Sequence, residues 1–253
     1  MDKKIESELK HPLEWTGERI LPEPGRYMFR RHLMAYQFAL QFCRGKIVLD
    51  AGSGEGYGSS LLAEAGSSVT GIDKSEEAAL HAAEKYARAN LAYQVMDVTK
   101  LAFADNSFDV VVSFQVIEHL HDAGKFLEEI SRVLKKDGRA IISTTTRKTS
   151  GNDLPAGGYH VKEYRSDEFM DLLDAHFEKA EYFGTQFKEK SDSRKLRLAD
   201  LLVKLDVLRI RRLFPSPLRK NIVMSIEETI ALEISGDNLD NALDIIGVCE
   251  NNK

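Results

Sequence analysis

The sequence predicts an α/β fold: a doubly wound, mostly parallel, seven-stranded sheet with a helical arm at the N-terminus and a helical insertion before the last strand. Three observations carry that expectation. Between residues 46 and 146, short β-rich apolar runs alternate with segments of helical periodicity, as in strand–helix crossovers. The run Phe108-Asp-Val-Val-Val-Ser-Phe114 is apolar enough to be covered on both faces, as strands of a parallel sheet are. A glycine cluster directly follows the first run, where such a sheet turns its backbone beneath a ligand.

Taken in order, residues 1–45 form an arm and a helix. Pro12, Pro22, Pro24, Gly17 and Gly25 surround a lone Trp15, and from Arg26 to Cys43 apolar residues recur at helical spacing. Residues 46–187 form the core. Strands are expected at Lys46–Asp50, Val69–Asp73, Ala92–Met96, Phe108–Phe114, Arg139–Thr145 and about Ala180–Phe187. Helices are expected to about Ala65, over Ser75–Ala89 with Ser75 as N-cap, around 122–135, and over Ser166–Phe177 with Ser166 as cap. The polar, glycine-rich stretch 147–160 reads as a loop over one edge. Residues 188–235 read as a helical, partly basic insertion, and 236–253 as the closing segment with its strand at Ala242–Glu250.

Composition narrows the function classes. With 253 residues, 43% hydrophobic and 30% charged, the chain can bury a core and stay soluble. A net charge of -5 lacks the overall positive field of a general nucleic-acid binder, so no nucleic-acid partner is expected. Cys43 and Cys249 match neither a zinc spacing nor a disulfide framework, which favours a reducing cytoplasm. The charged N-terminus lacks a signal-peptide run, and no stretch approaches the roughly 20 apolar residues that cross a bilayer. A soluble cytoplasmic protein is expected.

The chemistry concentrates in Val48-Leu-Asp-Ala-Gly-Ser-Gly-Glu-Gly-Tyr-Gly58. A dinucleotide fingerprint needs G-x-G-x-x-G. Counting from Gly52 and Gly54, Tyr57 occupies its third glycine position, which argues against a nicotinamide oxidoreductase. What stands here is an acid followed by G-x-G-x-G: Asp50, then Gly52, Ser53, Gly54 and Gly56. An acid at the mouth of a glycine loop repels pyrophosphate but attracts the ammonium and sulfonium charges of S-adenosylmethionine. Two more acids fall at strand ends. Asp73, followed by Lys74, is placed to accept both ribose hydroxyls; Asp97 is placed to accept the adenine amino hydrogens, with Val98 packed on the ring. One turn aspartate is commonly a solvated cap. Three in register with three successive strands are much harder to explain that way.

On these residues the chain resembles the S-adenosylmethionine-binding half of the class I methyltransferase superfamily, whose Rossmann-like fold matches the sheet expected here. The pieces that carry the resemblance are Leu49-Asp-Ala-Gly-Ser-Gly-Glu-Gly56, Gly71-Ile-Asp73, Asp97-Val98 and Phe108–Leu120. The terminal pieces Trp15-Thr-Gly-Glu-Arg19 and Ala242–Cys249 are similar to members associated with surface-sugar and polysaccharide biosynthesis. The resemblance implies S-adenosylmethionine as co-substrate and Gln115 at its methionine end. It also implies that Glu118 and His119 lie near the methyl, and that Trp15 and Arg19 sit on an arm that closes over the cofactor. The alternatives are that His119 packs a helix start and that Trp15 anchors the arm to the core.

Gln115-Val-Ile-Glu118 lacks the Asn/Asp-Pro-Pro-Tyr stretch of amino-methyltransferases acting on DNA adenine or protein glutamine. That lack favours a small or carrier-linked acceptor. A sugar hydroxyl must lose a proton, and the candidate bases are His160, His119 and His121. No His/Cys/Asp cluster has metal-ligand spacing in the sequence, so no metal is expected. Between Arg194 and Lys220 nine basic residues meet two acids, a local net charge of +7 interleaved with leucines at helical spacing. That segment reads either as a lid covering the sheet or a twin subunit, making a homodimer, or as a surface for an anionic acceptor or a membrane face. O-methylation of a sugar on a nucleotide- or lipid-linked carrier is the leading expectation. A neutral acceptor such as a quinone precursor is the runner-up, and a non-catalytic cofactor-binding subunit is the reading from another class.

Overall fold

Period-two alternation along the strands divides the core into two apolar layers, one on each face of a single sheet. In the computed structural model, which describes residues 13, 20–23, 26–146, 159–189, 192–199 and 216–251, Leu49, Val111, Ile142 and Ile245 face one layer. Their neighbours Val48, Val110, Ile141 and Ile246 face the other.

The elements are α1 (Tyr27–Cys43), β1 (Ile47–Ala51), α2 (Tyr57–Leu62), β2 (Ser68–Asp73), α3 (Glu76–Lys85), β3 (Leu91–Val95) and β4 (Phe108–Phe114). They continue as α4 (Ala123–Val133), β5 (Leu134–Thr145), α5 (Ser166–Asp174), β6 (Lys179–Phe187), α6 (Ser216–Glu228), β7 (Leu232–Ser235) and β8 (Asp244–Asn251). Single 3₁₀ turns span Ile117–His119 and Leu239–Asn241. Phe126, Leu127 and Ile130 of α4, with Phe169 and Leu173 of α5, fill the first layer, and Ala35, Tyr36 and Ala39 of α1 fill the second. Phe126 is fully buried, so truncating it to Ala would cost about 3–5 kcal/mol.

The sheet order is β3-β2-β1-β4-β5-β8-β6-β7. Strands β1 to β5 pair in parallel, β8 runs antiparallel between β5 and β6, and β7 pairs antiparallel with β6 at the edge. The chain leaves β1 towards β2 and β3, then returns to lay β4 on β1's other side. That reversal opens a crevice beyond the carboxyl ends of β1 and β4.

Among the described residues the sheet therefore has eight strands where seven were expected. The eighth, β7, is a four-residue edge strand inside the segment read as helical, too short to show periodicity. Of the two expected caps, Ser75 is found, accepting from the Ala78 N–H at 3.2 Å; Asp122, unforeseen as a cap, also accepts from the Lys125 N–H at 2.8 Å. The expected cap at Ser166 is not found. Arg165 is the N-cap of α5, and its N–H donates to Glu168 at 3.1 Å; Ser166 is already helical, and its hydroxyl donates to the Leu239 carbonyl at 3.1 Å. Strand β5 begins at Leu134, five residues earlier than expected, because the chain passes from α4 into extended backbone without a loop.

The described part of the insertion docks on the N-terminal helix. The Tyr27 N–H donates to the Glu227 carboxylate at 3.2 Å, Arg26 pairs with the same carboxylate at 3.1 Å, and Arg30 donates to the Glu227 carbonyl at 2.8 Å. Arg194 and Arg197 are exposed on a helical stretch over 192–199, while Lys195 is tied to Asp192 at 2.6 Å. Arg209, Arg211 and Arg212 lie outside the described residues, as do Trp15 and Arg19. Both cysteines are free and buried, and burial pushes each thiol up to about 12. Among the described residues no helix is long and apolar enough to cross a membrane.

Candidate active site

The loop after β1 is built from backbone. The N–H groups of Gly52 and Ser53 both donate to the Ile72 carbonyl, at 2.9 and 2.8 Å, which straps the loop to β2. Gly52 has φ +91°, and a Cβ there would stand 2.3 Å from Val116 Cγ2, so the loop lies directly against the turn after β4. Gly54 has φ +54°, and a Cβ there would meet nothing within 4 Å. The backbone at Gly54 thus faces open space. Gly56 instead serves packing: its Cβ would meet Ala82 at 2.5 Å.

The acids occupy three different environments. Asp73, at the end of β2, accepts from the Gly54 N–H at 3.0 Å and the Ser75 N–H at 2.9 Å, one on each oxygen. Each oxygen keeps a second lone-pair direction for a hydroxyl donor. Asp97 is exposed and accepts both the Thr99 N–H (2.8 Å) and the Thr99 hydroxyl (2.7 Å). Those two bonds lower its pKa. Lys74, exposed beside Asp73, adds its charge to Asp97 across the β2–β3 edge.

Asp50 lies deeper than a contact residue would. It is fully buried, accepting from Ser59 Oγ at 2.6 Å and the Tyr36 hydroxyl at 3.3 Å, and burial raises its pKa to about 7. Its carboxylate therefore knits α1, α2 and β1 together, and any effect of its charge on the crevice acts through the loop. Val98 is likewise buried in the first core layer. Ser53 Oγ is buried with no hydrogen-bond partner among the described residues, an orphan polar atom within the loop itself.

Beyond β4 the chain is strained. Gln115 has φ +56°, uncommon for a residue with a side chain, and its N–H donates to the Ser143 carbonyl at 3.0 Å. Its side-chain amide donates to Asp244 Oδ1 at 3.0 Å, joining a buried Arg31–Asp244 ion pair that also reaches the Leu243 carbonyl at 2.6 Å. Gln115 thus braces the start of β8, a role its sequence position did not reveal. Nearby, His32 is held by Tyr57 and the Phe114 carbonyl, and burial pushes its pKa down to about 4.

The turn after Gln115 gathers three more groups. Glu118 is fully buried: Oε2 accepts from Thr144 at 3.2 Å, and Oε1 has no partner among the described residues. Burial raises its pKa to about 7. Its backbone carbonyl accepts from the Val161 N–H (2.8 Å) and the Lys162 N–H (3.1 Å), which brings the segment around His160 to this turn. The His119 and His160 rings meet edge to face, with centroids 5.0 Å apart. One ligand atom from each of Glu118, His119 and His160 lies within 4.8 Å of the others. His121 is exposed and does not join the cluster. No sequence spacing could have found the cluster, since His119 and His160 lie 41 positions apart and contacts such as the two backbone bonds to Glu118 and the His119 Nδ1–Tyr159 carbonyl contact at 3.0 Å close that gap.

An open backbone cradle after β1, an acid at the end of β2 and another after β3, on a sheet that reverses at β1–β4, define the architecture of an S-adenosylmethionine-binding fold. Comparison with known proteins agrees. Residues 49–142 match the methyltransferase domain family. The chain is 39% identical over 181 residues to a probable S-adenosylmethionine-dependent methyltransferase of Mycolicibacterium smegmatis, covering 70% of each chain. It is 41% identical over 170 residues to one of Mycobacterium tuberculosis, covering 65% of this chain and 61% of that one. A ubiquinone biosynthesis O-methyltransferase of Coxiella burnetii is 34% identical over 107 residues, 41% of this chain and 45% of that one. The YcgJ protein of Bacillus subtilis shares the fold, with a TM-score of 0.55 at 20% identity over 86% of this chain and 99% of that one. The chain belongs to the class I S-adenosylmethionine-dependent methyltransferases.

Proposed function

We propose that the chain methylates a hydroxyl oxygen, on a sugar carried by a nucleotide or lipid phosphate. The observation that carries the oxygen acceptor is the Glu118–His119–His160 cluster at the carboxyl ends of β4 and β5. A hydroxyl must shed its proton as it is methylated, whereas an amine attacks through a lone pair it already has. The order β3-β2-β1-β4-β5 supports a reading with adenine, ribose and methionine along the ends of β3, β2 and β1 and the acceptor on the β4–β5 side.

The residues present fit S-adenosylmethionine. Gly54 supplies open backbone, Asp73 two oxygens for the ribose, Asp97 and Lys74 the adenine edge, and Ser53 Oγ an unspent polar group. When bound, the co-substrate supplies an electrophilic methyl on a good leaving group, so positioning accounts for most of the acceleration. Each imidazole has its Nδ1 engaged, His119 with the Tyr159 carbonyl at 3.0 Å and His160 with Glu163 at 3.2 Å. With Nδ1–H as the donor, Nε2 carries the lone pair that takes up the hydroxyl proton. In balance, the acceptor O–H loses its proton, an O–C bond forms, the S–C bond breaks and a neutral thioether leaves.

The sugar rests on the missing Pro-Pro-Tyr stretch and on the basic run between Arg194 and Lys220, whose exposed Arg194 and Arg197 suit an anionic carrier. A second reading, a neutral quinone precursor, has the Coxiella burnetii relative in its favour. Turnover of methyl-labelled S-adenosylmethionine against nucleotide sugars, lipid-linked glycans, quinone precursors and amines tests both. Label on a sugar oxygen supports the first reading, label on a quinone precursor the second, and label only on amines defeats the hydroxyl acceptor.

A further inference from the structure

We infer that Glu118, His119 and His160 form a site for one divalent transition cation, with Zn²⁺ or Co²⁺ as the fitting probes, and that this cation draws the acceptor hydroxyl into place and polarises it. The inference rests on the hydroxyl-acceptor reading and replaces one part of it, since an Nε2 that ligates a cation cannot also take a proton.

Two imidazoles and one carboxylate make the donor set of a three-ligand metal site that leaves positions open for substrate. Their ligand atoms lie within 4.8 Å of one another. Ligands around a 2.0–2.2 Å centre sit about 3–3.5 Å apart, so the three need draw in by only about an ångström. The second observation is independent. Glu118 Oε1 is fully buried without a hydrogen-bond partner among the described residues, although a buried carboxylate oxygen left unpaired is costly. A cation in the cluster supplies that partner.

The surroundings orient the ligands as metal sites do. The His160 Nδ1 against the Glu163 carboxylate at 3.2 Å, and the His119 Nδ1 against the Tyr159 carbonyl at 3.0 Å, fix the orientation of the two rings. Thr144 holds the other Glu118 oxygen at 3.2 Å. The position is also chemically apt. The turn carrying Glu118 follows Val116, against which the cofactor loop packs at Gly52, so a hydroxyl drawn to the cluster stands beside the loop that holds the methyl donor. A divalent cation lowers the pKa of a bound hydroxyl, so its proton leaves to solvent as the O–C bond forms. The cation keeps its charge throughout, and no oxidant or reductant is consumed.

The test is calorimetric titration of the chelator-treated full-length chain with Zn²⁺, together with the visible spectrum of the Co²⁺ form. S-adenosylhomocysteine binding is measured on the same samples. The expected result is one ion per chain, with affinity lowered at least a hundredfold in His160→Ala and His119→Ala and ten- to a hundredfold in Glu163→Ala, while S-adenosylhomocysteine affinity is unchanged. Glu118→Gln is a further variant, but its burial makes the two partly exposed histidines the safer ones. Absence of stoichiometric binding to the wild-type chain, or binding that persists in both histidine variants, overturns the cation and leaves His160 as a plain base. Methyl transfer to amines alone in the acceptor panel, with the ion bound, instead defeats the underlying hydroxyl-acceptor reading.

Discussion

Replacing Gly54 by alanine separates the cofactor cradle from the rest of the fold. The new Cβ meets no protein atom within 4 Å, so its cost to the empty chain is conformational only. At φ +54° a non-glycine residue pays about 1–2 kcal/mol, which at this chain length lowers Tm by a few degrees. The effect on binding is larger. The methyl projects into the space assigned to the ligand, and displacing the ligand there loosens its bonds to Asp73, charged hydrogen bonds worth about 1.5–3 kcal/mol each. Affinity for S-adenosylhomocysteine should fall at least ten- to a hundredfold by calorimetry, with only a modest shift in the melting curve. Gly52→Ala should behave oppositely, because its Cβ would stand 2.3 Å from Val116 and the loop itself must move. Gly54→Ala with wild-type affinity would refute the assignment of the cradle.

Other outcomes follow from the same geometry. Asp73→Ala should weaken S-adenosylhomocysteine by about ten- to a hundredfold (about 1.5–3 kcal/mol), and unchanged affinity would remove Asp73 from the ribose site. Asp50 governs a pH dependence. Its pKa is raised to about 7 by burial, against the lowering effect of the Ser59 and Tyr36 hydrogen bonds and with the nearby Asp73 charge adding to the rise, so the folded state favours the protonated form. The stability it lends is full below the ordinary carboxylate range, near pH 4, and is lost as pH rises through about 7. Melting of the ligand-free chain between pH 5 and 8 should show that decline, and Asp50→Asn should flatten it; an unaltered slope in the variant would assign the effect elsewhere. His160→Ala should lower kcat by about 10²–10⁴ while leaving S-adenosylhomocysteine affinity in place.

The residues of the core announced themselves through local signals. Val48, Leu49, Val110 and Val111 alternate between two layers, and the glycines after β1 sit where a parallel sheet turns, so fold and co-substrate were both readable along the chain. What escaped depends on contacts between distant segments. Asp50 looks like a mouth-of-loop acid in sequence, yet Tyr36 from α1 and Ser59 from α2 close over it. Gln115 reads as a methionine-end residue, but its amide turns to Asp244, 129 positions away. Glu118, His119 and His160 carry no ligand spacing because two backbone bonds, not sequence proximity, bring them together. Strand β7 is four residues long and borrows its extended form from pairing with β6.

The most direct test of the account is single-turnover methyl transfer from labelled S-adenosylmethionine to the hydroxyl-acceptor panel, comparing wild type with Asp73→Ala and His160→Ala. The account predicts label on an acceptor oxygen, loss of turnover through weaker co-substrate binding in Asp73→Ala, and loss through slower chemistry at full co-substrate occupancy in His160→Ala. Transfer to nitrogen alone, or a His160→Ala chain as fast as wild type, would contradict it.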